Sequence, residues 1–159
     1  MFLILLPVTQ TKAKTKVPEP TFEETVEAMV REHRIMLDRL IAAWEHRQEE
    51  INLLAEVIYH ENWHTDKEHL AAYYTGAVVM NRVNSKAWPD TVKKVLYQKG
   101  QYSTTKLFFT KEIPEECYEM ARDIYKNGTP DVPANVIFQA MRPLGKTWKK
   151  VNTDYFCFE

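Results

Sequence analysis

Glu61 is the residue of this chain whose type and setting best suit acid–base chemistry. It follows an apolar segment, Val57-Ile58-Tyr59, at the point where helical patterning gives way to residues 62–67 (NWHTDK). A carboxyl there is partly desolvated, which disfavours the charged form and raises the pKa. Such a group stays protonated near neutral pH and can act as a general acid. The plainer description is a solvated glutamate at a helix end. Glu61 is also the centre of His60-Glu61-Asn62-Trp63-His64, a literal H-E-x-x-H. In mid-helix this spacing puts two imidazoles on one face to bind zinc, with the glutamate as general base. The motif needs a third ligand, and Asp66, Glu68 and His69 stand at no recognisable spacing for it. The Asn-Trp and Thr-Asp pairs around it suggest a helix end rather than a continuous turn. Ser103, Thr104 and Thr105 have no evident His/Asp partners for a nucleophilic triad. The chain's four glycines form no phosphate-binding loop.

The elements that position Glu61 are mostly helical. Thr21 followed by Glu24 is a capping-box pattern. Val26, Met29, Val30, His33, Met36, Leu37, Leu40, Ile41 and Trp44 recur at helical spacing, predicting an amphipathic helix over 22–49. Such a helix packs on the domain or pairs with another copy. A second stripe, Ile51 to Ile58, leads to Glu61. A nearly apolar helix over 67–83 should be central and buried. Trp88-Pro89-Asp90 forms a turn, with Asp90 capping a short helix to Leu96. Pro114 opens a helix over 115–126, closed by Asn127-Gly128. Two β-like runs follow, Asn135–Gln139 and Asp154–Phe158. The expected fold is α+β and mostly helical, with a small sheet near the C-terminus. It divides into a tail (1–20), an amphipathic helix (21–50) and a domain (51–159).

Composition narrows the class. The 159 residues suit one domain, 45% are apolar and 27% charged, and the net charge is −1. That balance is not the strongly basic one of a DNA-coating protein, so no nucleic-acid partner is expected. Residues 21–70 carry five basic and twelve acidic side chains, and residues 71–159 thirteen and nine. The basic C-terminal part, including Lys146–Lys150 around Trp148, could face an anionic polymer. Phe2–Val8 is too short to span a membrane and lacks a preceding charge, so it reads as a degenerate signal or an apolar tail. Cys117 and Cys157 exclude a disulfide-dense scaffold, and sequence alone does not decide whether they pair.

Residues 53–104 resemble the cell wall hydrolases of the SleB/CwlJ type, which include spore cortex-lytic enzymes and phage relatives. Four blocks occur in the family's order: Leu54–Glu61 (LAEVIYHE), Gly76–Ser85 (GAVVMNRVNS), Trp88–Val92 (WPDTV) and Val95–Ser103 (VLYQKGQYS). Weaker similarity continues to the C-terminus. The resemblance implies a reduced lysozyme-like domain that cleaves peptidoglycan glycan strands, often as a lytic transglycosylase, at the cell wall, outside the cell or in a phage particle. It implies no cofactor. The family's catalytic glutamate matches Glu61. Gln101, Tyr102 and Ser103 match the loop lining its sugar groove, while Asn81 and Arg82 match a structural helix. Tyr59, Trp63, Tyr102 and Phe108 could offer faces to sugar rings, with core packing as the alternative for each.

The chain also departs from the family pattern. The small, Gly-containing stretch after the glutamate is replaced by Asn62–Asp66. The family's second acidic residue has only Asp66 and Glu68 as candidates. Asn152-Thr153-Asp154-Tyr155-Phe156 lacks a histidine common in that ending, and Gln139-Ala140 replaces an asparagine. Two other functions therefore stand beside glycan cleavage: a zinc metallopeptidase using His60 and His64, and a non-catalytic glycan-binding or phage structural protein.

Overall fold

The computed structural model describes residues 19–159, so Phe2–Val8 and the expected tail as far as residue 18 lie outside the described residues. Contacts divide the chain into two units, one ending at Leu40 and one running from Ile41 to Glu159. In the first, helix α1 (Phe22–Asn62) begins at the expected capping box. Thr21 Oγ1 accepts from the Glu24 amide at 3.2 Å, and Glu24 Oε2 accepts from the Thr21 amide at 2.7 Å. The helix does not stop near residue 49. The apolar stripe of Ile51–Ile58 carries it onward to Asn62.

The second unit holds the core. Leu54, Ala55, Val57 and Ile58 of α1 are fully buried, as are Ala71, Ala77, Val78 and Val79 of α2 (Leu70–Asn84). Each large aliphatic among them contributes roughly 1.5–3 kcal/mol through burial. Helix α2 is central, in contact with α3 (Val92–Leu96), α4 (Glu115–Asn127) and the sheet. Gly76 permits this closeness: a Cβ there would lie 2.7 Å from Ile124 Cδ1 and 3.1 Å from Ile58 Cδ1. Cys117 and Cys157 are buried free thiols, and burial, then Glu116 and Glu56, push Cys117 up to about 12. That thiol is no nucleophile at neutral pH.

Three strands form an antiparallel sheet in the order β1-β3-β2. β1 (Val136–Ala140) and β3 (Asp154–Phe158) occupy the two expected runs. β2 (Thr147–Val151) stands where a basic surface patch was expected. Its lysines suit an edge strand, where charge discourages pairing with another sheet. Val151 pairs with Asp154 across a two-residue turn in which Asn152 takes φ 50°, the positive φ such turns favour in asparagine.

A buried acid ties α1 to the short helix α3. Glu50 accepts from the Val92 amide (2.7 Å) and the Lys93 amide (3.2 Å), while Thr91, not the expected Asp90, caps the helix by accepting from the Lys94 amide (3.2 Å). The first three amides of α3 are thereby satisfied. Glu50→Ala strands two of them, so it should destabilise the protein by about 2 kcal/mol. Urea unfolding would register this as a lower midpoint with an unchanged slope. An unshifted midpoint would mean the capping contact is dispensable.

Candidate active site

Glu61 lies in the last turn of α1, next to the terminal residue Asn62. The helix stops there because Asn62 turns inward: its Nδ2 donates to Thr75 Oγ1 at 3.0 Å in the core. The Asn62 carbonyl accepts from the Thr65 amide and hydroxyl, at 3.1 and 2.8 Å. Asn152 Nδ2 donates to the Thr65 carbonyl at 2.8 Å, pinning the turn between β2 and β3 against the loop that follows Glu61.

A cleft of about 160 Å³ surrounds the carboxyl, lined by Glu61, Arg82, Gln101, Tyr102, Gln139, Ala140, Met141 and Asp154. Burial pushes the Glu61 pKa up; a hydrogen bond from Thr104 Oγ1 works against this, and the charge of Asp154 adds to the rise. The negative end of the α1 dipole also disfavours a carboxylate at this position. The net effect is a carboxyl raised above its ordinary range, in a polar cleft open to a substrate.

The rest of the cleft hangs on Arg82, which is buried. Its Nε donates to the Ile137 carbonyl (2.7 Å) and its Nη1 to Gln101 Oε1 (2.9 Å). The guanidinium carbon lies 4.3 Å from the Trp88 ring centroid and 5.5 Å from that of Tyr102. One side chain thus joins α2 to β1 and fixes the loop that lines the cleft. Asn81 beside it donates to the carbonyls of Pro133 and Val136, both at 3.0 Å, in a structural role. On the sheet side, Gln139 Nε2 donates to Asp154 Oδ2 at 3.4 Å. Gln139 Oε1 and the Tyr102 hydroxyl are buried without a protein partner.

Of the residues expected at the site, Glu61, Gln101 and Tyr102 share this cleft, whereas Tyr59, Trp63 and Ser103 do not line it. Trp63 is buried, its ring stacked on His69 at 3.6 Å and 5°, because the chain folds back after Asn62. Tyr59 is partly buried, with Lys111 Nζ 4.7 Å from its ring centroid. Ser103 is exposed and begins a short 3-10 helix, Ser103–Leu107. Phe108 is buried near His60. Asp66 is no cleft acid. It accepts from the amides of Leu70 (2.8 Å) and Ala71 (3.1 Å) at the start of α2. Burial opposes its charge, but those bonds prevail and hold its pKa below the ordinary value. Glu68 is exposed and outside the cleft. The second carboxylate of the cleft is Asp154, which was not expected there. It reaches the cleft through the pairing of β3 with β1, where Tyr155 stands opposite Ala140.

The H-E-x-x-H sequence does not form the zinc geometry. The helix ends at Asn62, so His64 lies on the following turn, exposed. His60 Nε2 faces inward, 3.2 Å from the buried Glu56 Oε2. Among the described residues, no three His, Cys, Asp or Glu side chains group as metal ligands.

Neither the curated proteins nor the solved structures contain a match to this chain. The family model for Cell Wall Hydrolase matches residues 67–156, more than half of the chain. The match runs from the loop before α2 into β3, taking in every cleft residue except Glu61, which precedes it. With this match spanning the scaffold that carries the cleft, the chain belongs to the Cell Wall Hydrolase family.

Proposed function

We propose that this cell wall hydrolase cuts the glycan strand of peptidoglycan as a lytic transglycosylase, with Glu61 acting first as acid and then as base. Family membership supports peptidoglycan as the substrate and the cell wall or its exterior as the place of action. No described helix is long and apolar enough to cross a membrane. The observation that carries the finer reading is a carboxyl raised by burial in a polar cleft.

The steps balance around that one group. Protonated Glu61 gives its proton to the glycosidic oxygen, and the bond from that oxygen to C1 of the muramic residue breaks. The C6 hydroxyl of the same residue attacks C1. The Glu61 carboxylate takes the hydroxyl proton and is an acid again. The product is a 1,6-anhydro sugar, and no water is consumed. Gln101, Tyr102 and Gln139 offer polar contacts to the sugar, and Arg82 holds the Gln101 side.

Asp154 supports a second reading. Two carboxylates in one cleft are the usual equipment of a glycosidase that adds water to C1. Hydrolysis would leave a reducing end, whereas transglycosylation leaves an anhydro end, so the products distinguish the two. Mass spectrometry of soluble muropeptides tests the choice.

The acid role also sets a pH dependence. Glu61 must carry its proton to start the reaction, so activity is present below its folded pKa and is lost as pH rises through it. Asp154→Asn removes a charge that raises that pKa. The alkaline limb of kcat/KM should then move to lower pH. Thr104→Val removes a hydrogen bond that lowers it, so the limb should move to higher pH. Limbs that stay fixed in both variants would show that another group titrates.

A further inference from the structure

Every residue from Phe22 to Leu40 is exposed, although this part of α1 carries a broad apolar face. Val26, Met29, Val30, Met36, Leu37 and Leu40 are between 41% and 59% exposed. Most of a helix's stability in a protein comes from packing its amphipathic face, and a continuous apolar face of this size marks an interaction surface. The spacing is heptad-like. Val26, His33 and Leu40 take one core position, Phe22, Met29 and Met36 the other, and Val30 and Leu37 widen the face on one side. Glu32 and Arg39 flank the opposite side.

We propose that a second copy of this chain covers the face, with the two helices antiparallel about a two-fold axis between His33 and Met36. Charge complementarity selects this orientation. Antiparallel pairing sets Glu32 beside Arg39 of the second copy, and symmetry repeats the pair. Met29 then packs on Leu40 of the second copy, His33 on Met36, and Val30 on Leu37, so the wide side stays apolar. Parallel pairing would set Glu32 beside Leu37 of the second copy, leaving both charges without partners against an apolar flank. A two-fold contact of this kind is self-complementary and closed. His33 Nδ1 donates to the Met29 carbonyl of its own helix at 2.8 Å, so this ring nitrogen is already satisfied at its seam position.

Sedimentation equilibrium of the full chain should show a dimer. Arg39→Glu should weaken it about tenfold or more, and Glu32→Arg combined with Arg39→Glu should restore it. The orientation is read by oxidising Met29→Cys and Leu40→Cys proteins, separately and mixed; native Cys117 and Cys157 are buried and do not compete. Cross-linking in the mixture alone is the expected result. A monomer at the highest soluble concentration, or Met29→Cys cross-linking to itself, would overturn the proposal.

Discussion

Glu61→Gln should release soluble muropeptides from purified peptidoglycan at about a thousandth of the native rate or less. General acid–base catalysis contributes typically ~10²- to 10⁴-fold, and here one carboxyl serves both halves of the cycle. Glutamine keeps the shape, and its carbonyl oxygen can still accept from Thr104, so folding should be preserved. Circular dichroism and thermal midpoint should match the native protein, which locates the loss in the chemistry. Loss in this variant alone does not separate glycan cleavage from zinc chemistry, because both employ the glutamate. His64→Ala does separate them. His64 is exposed on the turn after the helix, so its removal should leave activity unchanged, whereas a zinc site built on it would fail.

Arg82→Met should produce the largest loss of stability among the substitutions considered. It retains much of the apolar stem but strips two charged donors from the Ile137 carbonyl and Gln101 Oε1. Hydrogen bonds to charged groups are worth about 1.5–3 kcal/mol each, and a stranded buried carbonyl adds to the cost. Part is offset because the buried charge also leaves. A net loss of about 3 kcal/mol would lower the thermal midpoint by roughly 6–12 °C for a chain of this size. Activity should fall as well, because Gln101 loses its anchor in the cleft. The KM should rise more than kcat falls if Gln101 contacts the sugar without meeting the reacting bond. A midpoint within a degree of native would show that Arg82 is not the tie between α2, β1 and the cleft.

The helices and the acid were legible because their signals are local. The apolar stripe of Ile51–Ile58, the apolar run before Arg82, and the Thr21–Glu24 capping box each follow from spacing within a few turns. Glu61 stood out because an acid directly after such a stripe must be partly desolvated. Trp63 stood open in the sequence between core packing and a face for a sugar ring, and the fold decides for the core because the chain turns back and stacks it on His69. Asp154 and Gln139 were hidden for a related reason. Each sits on a separate strand, and only the pairing of β1 with β3 joins them in one cleft. Strand β2 was masked by its lysines, which read as a solvated patch when the sheet edge is unknown. Asp66 showed the opposite failure: an acid near Glu61 in sequence spends its charge on two amides of α2.

Mass spectrometry of the soluble products from purified peptidoglycan, digested in parallel with native protein and Glu61→Gln, decides whether one glutamate cuts the glycan by transglycosylation. Muropeptides ending in 1,6-anhydromuramic acid, lighter by one water than their hydrolysed counterparts, are expected from the native protein and essentially none from the variant. Reducing-end muropeptides instead would contradict transglycosylation and give Asp154 the role of partner carboxylate in a hydrolase. Undiminished anhydro products from Glu61→Gln would contradict the assignment of the acid itself.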